Sequence, residues 1–238
     1  MRDLVIVLIL LTFSSFTAAQ VKPRPTPLKI PAGVPIKPGT TPKPIAAKNS
    51  VDPGKVSGRT YTNETFNFEV TFPDTWLIPD SDFEASMKKQ GFDLSLNAPD
   101  SLPTASQSKI NQAVKRINIL LTAYRSMPGA IDNTIVRISV ENLSDNPQIK
   151  DAVDYFDAIV ATYATMKLPY DFKYSDTKAE KLGDKQFGYL DTSTNIGKKR
   201  MYATVRNGFA IMFTISYTKD EDLQTLRHVL EDGNFALK

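Results

Sequence analysis

Nine of the sixteen prolines fall between residues 21 and 60: Pro23, Pro25, Pro27, Pro31, Pro35, Pro38, Pro42, Pro44 and Pro53. Proline fixes φ and removes a backbone donor, so neither a helix nor a central strand runs through such a stretch. Residues 20–60 are therefore expected to be a disordered, extended tether of polyproline-II character. At about 3.1 Å per residue it reaches roughly 120 Å. It is also basic. Lys22, Arg24, Lys29, Lys37, Lys43, Lys48, Lys55 and Arg59 oppose Asp52 alone, giving +7 against +3 for the whole chain. Arg2 and Asp3 cancel, so residues 61–238 carry −4. The lysines are spread out and no aromatic interleaves them, which fits a solubilising spacer and not a nucleic-acid binder. Screened attraction to an anionic envelope surface is the other reading of the charge.

The residues before the tether look like an address. Met1-Arg2-Asp3 precedes an apolar run from Leu4 to Leu11, and Thr17-Ala18-Ala19 supplies small residues before Gln20. This predicts a secretory signal peptide over 1–19, cut after Ala19. A spanning helix needs about 20 apolar residues. This run is shorter and broken by Thr12, Ser14 and Ser15. No transmembrane span is expected in the mature chain, which is expected to be secreted or periplasmic.

After the tether the pattern changes. Phe66, Phe68, Val70 and Phe72 alternate with polar residues, as a half-buried strand does. Trp76-Leu77-Ile78 reads as a second short strand. Ser81 and Glu84 form a capping box for a short helix ending near Gly91. Phe92, Leu94 and Leu96 read as another strand. Residues 104–125 fit a helix or a strand by pattern alone; a helix to about Lys115 and a strand to Arg125 gives the Thr134–Glu141 strand an antiparallel partner. Asn146 and Pro147 suit the start of a helix. Its apolar stripe is Ile149, Ala152, Val153, Phe156, Ile159, Val160 and Tyr163, and Pro169 stops it. Strands follow near 186–192, 200–206 and 209–217, the last two joined by the hairpin signal Asn207-Gly208. Thr218 and Glu221 cap a last helix that buries Leu223, Leu226 and Leu230. The sum is one α+β domain over 61–238.

The run Tyr61-Thr-Asn-Glu-Thr-Phe66-Asn-Phe68-Glu-Val-Thr-Phe72-Pro73-Asp-Thr-Trp76 resembles the opening of the PsbP-like proteins. There an aromatic strand meets Pro and, three residues on, Trp. The late hairpin and C-terminal helix match that family's ending. The resemblance implies a central antiparallel sheet flanked by helices, an α/β/α sandwich. The family includes extrinsic photosystem subunits, a Ran-binding cousin of the same fold and secreted bacterial proteins of unknown role. It carries over no catalytic residue.

Composition closes off much chemistry. The chain has no Cys and a single His, His228. Disulfides, cysteine-bound zinc, Fe–S clusters and cysteine nucleophiles are excluded, and so is a two-His metalloprotease helix. His228 lies opposite the leucine stripe of the last helix, so an exposed side chain is expected. Trp76 is expected in the core. Lys198-Lys199-Arg200 follows the Asn195-Ile196-Gly197 turn and reads as a solvated knot. Asn63-Glu-Thr65 and Asn142-Leu-Ser144 are glycosylation acceptors in a chain passing through an ER. No catalytic, cofactor-binding or metal-binding residue is nominated. The first reading is a non-enzymatic binding or accessory module, a monomer whose partner is an extracytoplasmic protein or an envelope polymer. The second is a hydrolase of an envelope polymer using two carboxylates among Asp145, Asp151, Asp154, Asp157, Asp191, Asp220, Glu221 and Asp222. The third is a structural protein attached through the basic tether.

Overall fold

The computed structural model describes residues 51–79, 82–91, 94, 96, 98, 102–128, 130, 132 and 134–236. The expected signal peptide, most of the tether, Ser81, the Glu84 side chain and Phe92 lie outside them.

Strands β1 (Lys55–Ser57), β2 (Thr60–Asn63) and β3 (Phe68–Thr71) form a small antiparallel sheet. Two of these begin before Tyr61, within the stretch the prolines assign to the tether; Pro53 is the last proline ahead of them. Phe66 closes the β2–β3 turn, where Asn67 adopts a φ of 54°. Phe66, Phe68, Val70 and Phe72 are all buried, as their alternation requires.

The expected strand at Trp76–Ile78 is only a bridge, Leu77 against Tyr124. Pro73 breaks the ladder, and the chain turns with Trp76 N–H donating to Pro73 O at 3.0 Å. Trp76 is 2% exposed, a core plug beside Phe72. The Arg59 guanidinium donates to the Trp76 carbonyl and holds this corner to β2. Helix α1 (Phe83–Lys89) has Asp82 at its N-cap, and Gly91 takes a φ of 94° beyond its end. Leu94 and Leu96 lie in no strand, contrary to their alternation; they pack as loop residues instead.

The ambiguous stretch resolves as α2 (Thr104–Val114) followed by β4 (Ile117–Tyr124), which pairs antiparallel with β5 (Ile135–Asn142). Helix α3 (Ala152–Ala164) starts later than Asn146-Pro147 suggests. Asp151 is the cap, its Oδ1 accepting from Val153 N at 2.8 Å and Asp154 N at 2.9 Å. Asn146 sits in a preceding turn, accepting from Ile149 N at 3.0 Å. Tyr155, outside the expected stripe, is fully buried, while Val153 is 39% exposed.

Strands β6 (Lys173–Tyr174) and β7 (Lys178–Leu182) have no alternation to announce them. Both pair with one edge of β8 (Lys185–Thr194). Strands β9 (Gly197–Arg206) and β10 (Phe209–Tyr217) meet at Asn207-Gly208, with φ of 52° and 76°. That is the geometry a two-residue primed turn needs. Helix α4 (Asp220–Glu231) starts after Lys219, not at the expected Thr218, and Asp220, Glu221 and Asp222 complement its N-terminal dipole.

The result is a seven-stranded antiparallel sheet, in the order β4-β5-β10-β9-β8-β6 with β7 also on β8. Helices α2 and α3 cover one face, and α4 with the small sheet covers the other. The fold is an α+β sandwich with antiparallel strands, as the sequence implies. Among the described residues no helix is long and apolar enough to cross a membrane.

Candidate functional site: a buried lysine at the end of the sheet

Strand alternation places the site. On β10, Phe209, Ile211, Phe213, Ile215 and Tyr217 face α4 and the small sheet. Ala210 and Met212 face α3. Thr214 and Ser216 share the latter parity, so they continue that face. The register sets Ser216 opposite Lys199, Thr214 opposite Met201 and Arg137, and Met212 opposite Ser139. Lys199 also pairs with Thr192 of β8. Past Met201 and Met212, where the helix-covered core ends, the same face turns polar.

Lys199 is therefore no solvated turn residue. Strand β9 begins three residues earlier than Arg200 and carries Lys199 inward, leaving it 2% exposed. Its neighbours are exposed or paired. Lys198 donates to Asp220 at 2.9 Å, and Arg200 clamps Asp191 at 2.6 and 2.7 Å. Among the described residues nothing accepts a hydrogen bond from Lys199 Nζ and no carboxylate lies against it. Burial, aided by the positive charge of Arg137, pushes its ammonium down to about 7. Uncharged amine and ammonium then coexist at neutral pH.

Hydroxyls surround it. Ser139, Thr214 and Ser216 line a narrow cavity with Lys199 and Arg137, and Leu96, Ile119 and Ile135 supply its apolar wall. The cavity is about 10 Å³, room for about one water. Thr214 Oγ1 and Thr192 Oγ1 are buried without a partner. Arg137 Nη2 donates to Leu94 O at 3.5 Å.

A second buried charge-bearing group lies on the same face. Glu141 is 1% exposed, four residues along β5 from Arg137, or about 13 Å at strand rise. Its Oε2 accepts from Tyr155 Oη at 2.8 Å, and Oε1 has no partner. Burial pushes this carboxyl up to about 7, against the pull of the Tyr155 hydroxyl and Arg116.

The carboxylates considered for a hydrolase are spent elsewhere. Asp151 caps α3, Asp154 accepts from Lys150 N at 2.9 Å, Asp191 holds Arg200 and Asp220 holds Lys198. Asp222 accepts from Thr134 Oγ1 at 2.6 Å. Asp145, Asp157 and Glu221 are exposed. Among the described residues the one carboxyl raised toward neutrality is Glu141, which is not in that set, and its partner is a tyrosine. His228 is exposed on α4, as expected. Among the described residues no group of three or more His, Asp or Glu is placed to hold a metal.

Sequence reasoning passed over Lys199 and Glu141 because both types read as surface. Counting back from the Asn207-Gly208 turn carries the signal: Lys199 has the parity of Met201, Ala203 and Val205.

No family model matches the chain, and no curated protein matches it. Among solved structures it is similar to the solution structure of cyanobacterial PsbP (CyanoP) from Synechocystis sp. PCC 6803, at 15% identity over 76% of this chain and 97% of that one, with a TM-score of 0.39. It is also similar to LpqN of Mycobacterium tuberculosis, described as involved in cell envelope biogenesis, at 13% identity over 70% of this chain and 82% of that one, TM-score 0.37. A crystallised Bacteroides thetaiotaomicron VPI-5482 protein matches at 10% identity over 77% of this chain and 50% of its own, TM-score 0.36.

Proposed function

We propose that the chain is a secreted or periplasmic, non-enzymatic binding module that holds an anionic group of its ligand at Lys199. Residues 1–19 are the export signal, cut after Ala19. The basic stretch that follows is a tether, and the α+β domain is the part that recognises. The supporting observation is Lys199: a buried side chain with no hydrogen-bond acceptor among the described residues, beside Arg137 and four hydroxyl-bearing side chains. Buried charges are ordinarily paired. Here these side chains border a space with room for one oxygen-sized group, which one carboxylate oxygen would fill. A carboxylate also matches the donor set, since ammonium, guanidinium and hydroxyls all donate to it.

Titrating acetate into the full chain below pH 7, at constant ionic strength, is expected to raise the melting temperature. Lys199→Met is expected to remove the response. A native melting temperature indifferent to acetate overturns the reading. Export is checked separately by sequencing the secreted protein, which is expected to begin at Gln20. The tether's charge adds a salt-dependent hold on anionic surfaces. Deleting residues 21–50 is expected to abolish any envelope retention that fades with salt.

A further inference from the structure

A groove opens at the Asn207-Gly208 end of the sheet, where the two faces meet. Val205 packs with the α3 face and Phe209 with the aromatic one, and both line it. Leu143, Pro147 and Ile149 extend the apolar lining, and Asn142, Ser144, Lys150 and Asn207 supply polar groups. The groove holds about 490 Å³, inside the range of about 300–1,000 Å³ that ligand pockets occupy. Resting on the tether of the reading above and not on Lys199, we infer that this groove is the docking site of the chain's own tether: residues 42–47, Pro-Lys-Pro-Ile-Ala-Ala, lie in it as an extended segment.

The place where the tether joins the domain carries the argument. The described chain starts at Val51, and Val51 and Phe209 pack on the same aromatic cluster. Asp52 accepts from Thr65 Oγ1 at 2.9 Å through Oδ2 and from Asn63 Nδ2 at 3.1 Å through its carbonyl. Phe66 follows Thr65, and its ring lies 5.2 Å from that of Phe209. Arg206 fixes this corner, donating to the Phe66 and Asn67 carbonyls at 2.9 Å. The tether therefore enters the domain one ring away from the groove wall. At about 3.1 Å per residue, residues 48–50 span roughly 9 Å, which puts the residues before them within reach. A segment tied so closely has an effective concentration of about millimolar.

The segment's chemistry matches the lining. A polyproline-II helix repeats every three residues. Pro42 and Ile45 then share one ridge, Pro44 and Ala47 a second, and Lys43 and Ala46 the third. The two apolar ridges meet the groove, and Lys43 turns to water, away from Lys150. Pro42 and Pro44 have no N–H, so the segment offers carbonyls and needs donors. Lys150 is exposed, and Asn142 commits its Oδ1 to Ser144 N at 2.8 Å, leaving its N–H groups to donate. Grooves edged by aromatic rings take proline-rich segments in this manner. Docking shortens the free tether to residues 20–41, a reach of roughly 70 Å, and closes the groove to other ligands.

A spin label tests this directly. The chain has no Cys, so a nitroxide on Ala46→Cys is unique, and position 46 is on the outward ridge. The label is placed on the isotope-labelled chain from Gln20 to Lys238, and backbone amide signals are read by NMR. The amides of Leu143, Lys150, Gly208 and Phe209 are expected to lose most of their intensity, while those of Ile196 and Lys198, at the far end of β9, keep theirs. Adding Ile45→Asp is expected to restore the lost signals, because docking would then bury a carboxylate. Position 45 precedes the folded domain, and unchanged signals from Ile196 and Lys198 check that the fold is intact. Full intensity at the groove in the labelled parent overturns the inference. If Ile45→Asp changes nothing, the loss reports the tether's nearness alone, and docking falls while the tether stands. If the loss falls on another part of the domain, the tether reading falls with it. The acetate response of Lys199 is independent of all these outcomes.

Discussion

The two faces of the seven-stranded sheet are buried by opposite means. The face under α4 and the small sheet is aromatic. Phe68 meets Phe213 edge-on at 5.4 Å, and Phe187 meets Phe235 at 5.3 Å. Its polar groups stay at the rim, where Arg200 stacks 4.3 Å from the Tyr189 ring centroid and Tyr202 Oη donates to Glu180. On the face under α2 and α3 the sheet contributes smaller side chains such as Ala203, Ala210 and Met212, and the rings come from α3 and the loop after it, Tyr155, Phe156, Tyr163 and Phe172. Gly188 lies so close to α3 that a Cβ there would come within 2.8 Å of Ala152 Cβ. Yet this face encloses Lys199 and Glu141. Buried ionisable groups oppose folding in their charged forms. One face therefore supplies stability, and the other spends part of it to keep an amine and a carboxyl near neutrality.

Breaking the aromatic face should have the largest effect. Phe213→Ala is expected to cost about 3–5 kcal/mol in denaturant unfolding, because Phe213 touches Phe68, Phe187 and Phe235 at once. A cost near zero would show that the rings are not the main support.

On the other face, replacing the ionisable groups should stabilise, with opposite pH slopes. Lys199 is depressed from 10.5 to about 7. Its native state is at full stability above 10.5 and loses stability as pH falls to about 7, where the folded group must be charged. Lys199→Met is thus expected to gain roughly 1–4 kcal/mol below neutrality, and to gain least in strong alkali. Glu141 is raised from 4.5 to about 7. Its native state is at full stability below 4.5 and loses stability as pH rises to about 7. Glu141→Gln is expected to gain about 2–3 kcal/mol above pH 7 and nothing in acid. Urea unfolding across the pH range reads both; slopes of the same sign would refute the contrast.

The smallest effects concern the helix starts. Asp151→Ala is expected to cost about 1 kcal/mol through two lost backbone hydrogen bonds. Thr218→Ala should stay within about 0.5 kcal/mol, since α4 begins beyond it. Equal melting shifts for the two would place a cap at Thr218 after all.

Much of the architecture is legible in the chain because local rules agree. Asn207-Gly208 fixes one hairpin, and parity counted from it assigns the β9 and β10 side chains to one face or the other. The ambiguous 104–125 stretch yields once β5 needs a partner. Helix starts are less legible, since Asn146, Asp151, Thr218 and Lys219 all sit where a cap is sterically allowed and only packing chooses. The candidate site is the least legible. Its lysine follows a glycine turn and stands between two exposed or ion-paired cations, so composition reads it as surface. Only the full length of β9, set by pairing with both neighbours through Lys198 and Lys199, turns it inward.

Asn63 has a different consequence. It is fully buried: Nδ2 donates to Asp52 O at 3.1 Å and Tyr61 Oη at 3.2 Å, and Oδ1 accepts from Phe66 N at 2.9 Å. Asn142 is exposed, with its Oδ1 turned to Ser144 N at 2.8 Å. Both head Asn-x-Ser/Thr triplets. Produced through an ER, the chain would therefore carry its own clock. Sugar at Asn142 is compatible with the finished fold, whereas sugar at Asn63 marks a molecule that the transferase reached before the small sheet closed. The ratio of the two occupancies would time the closing of that corner against translocation.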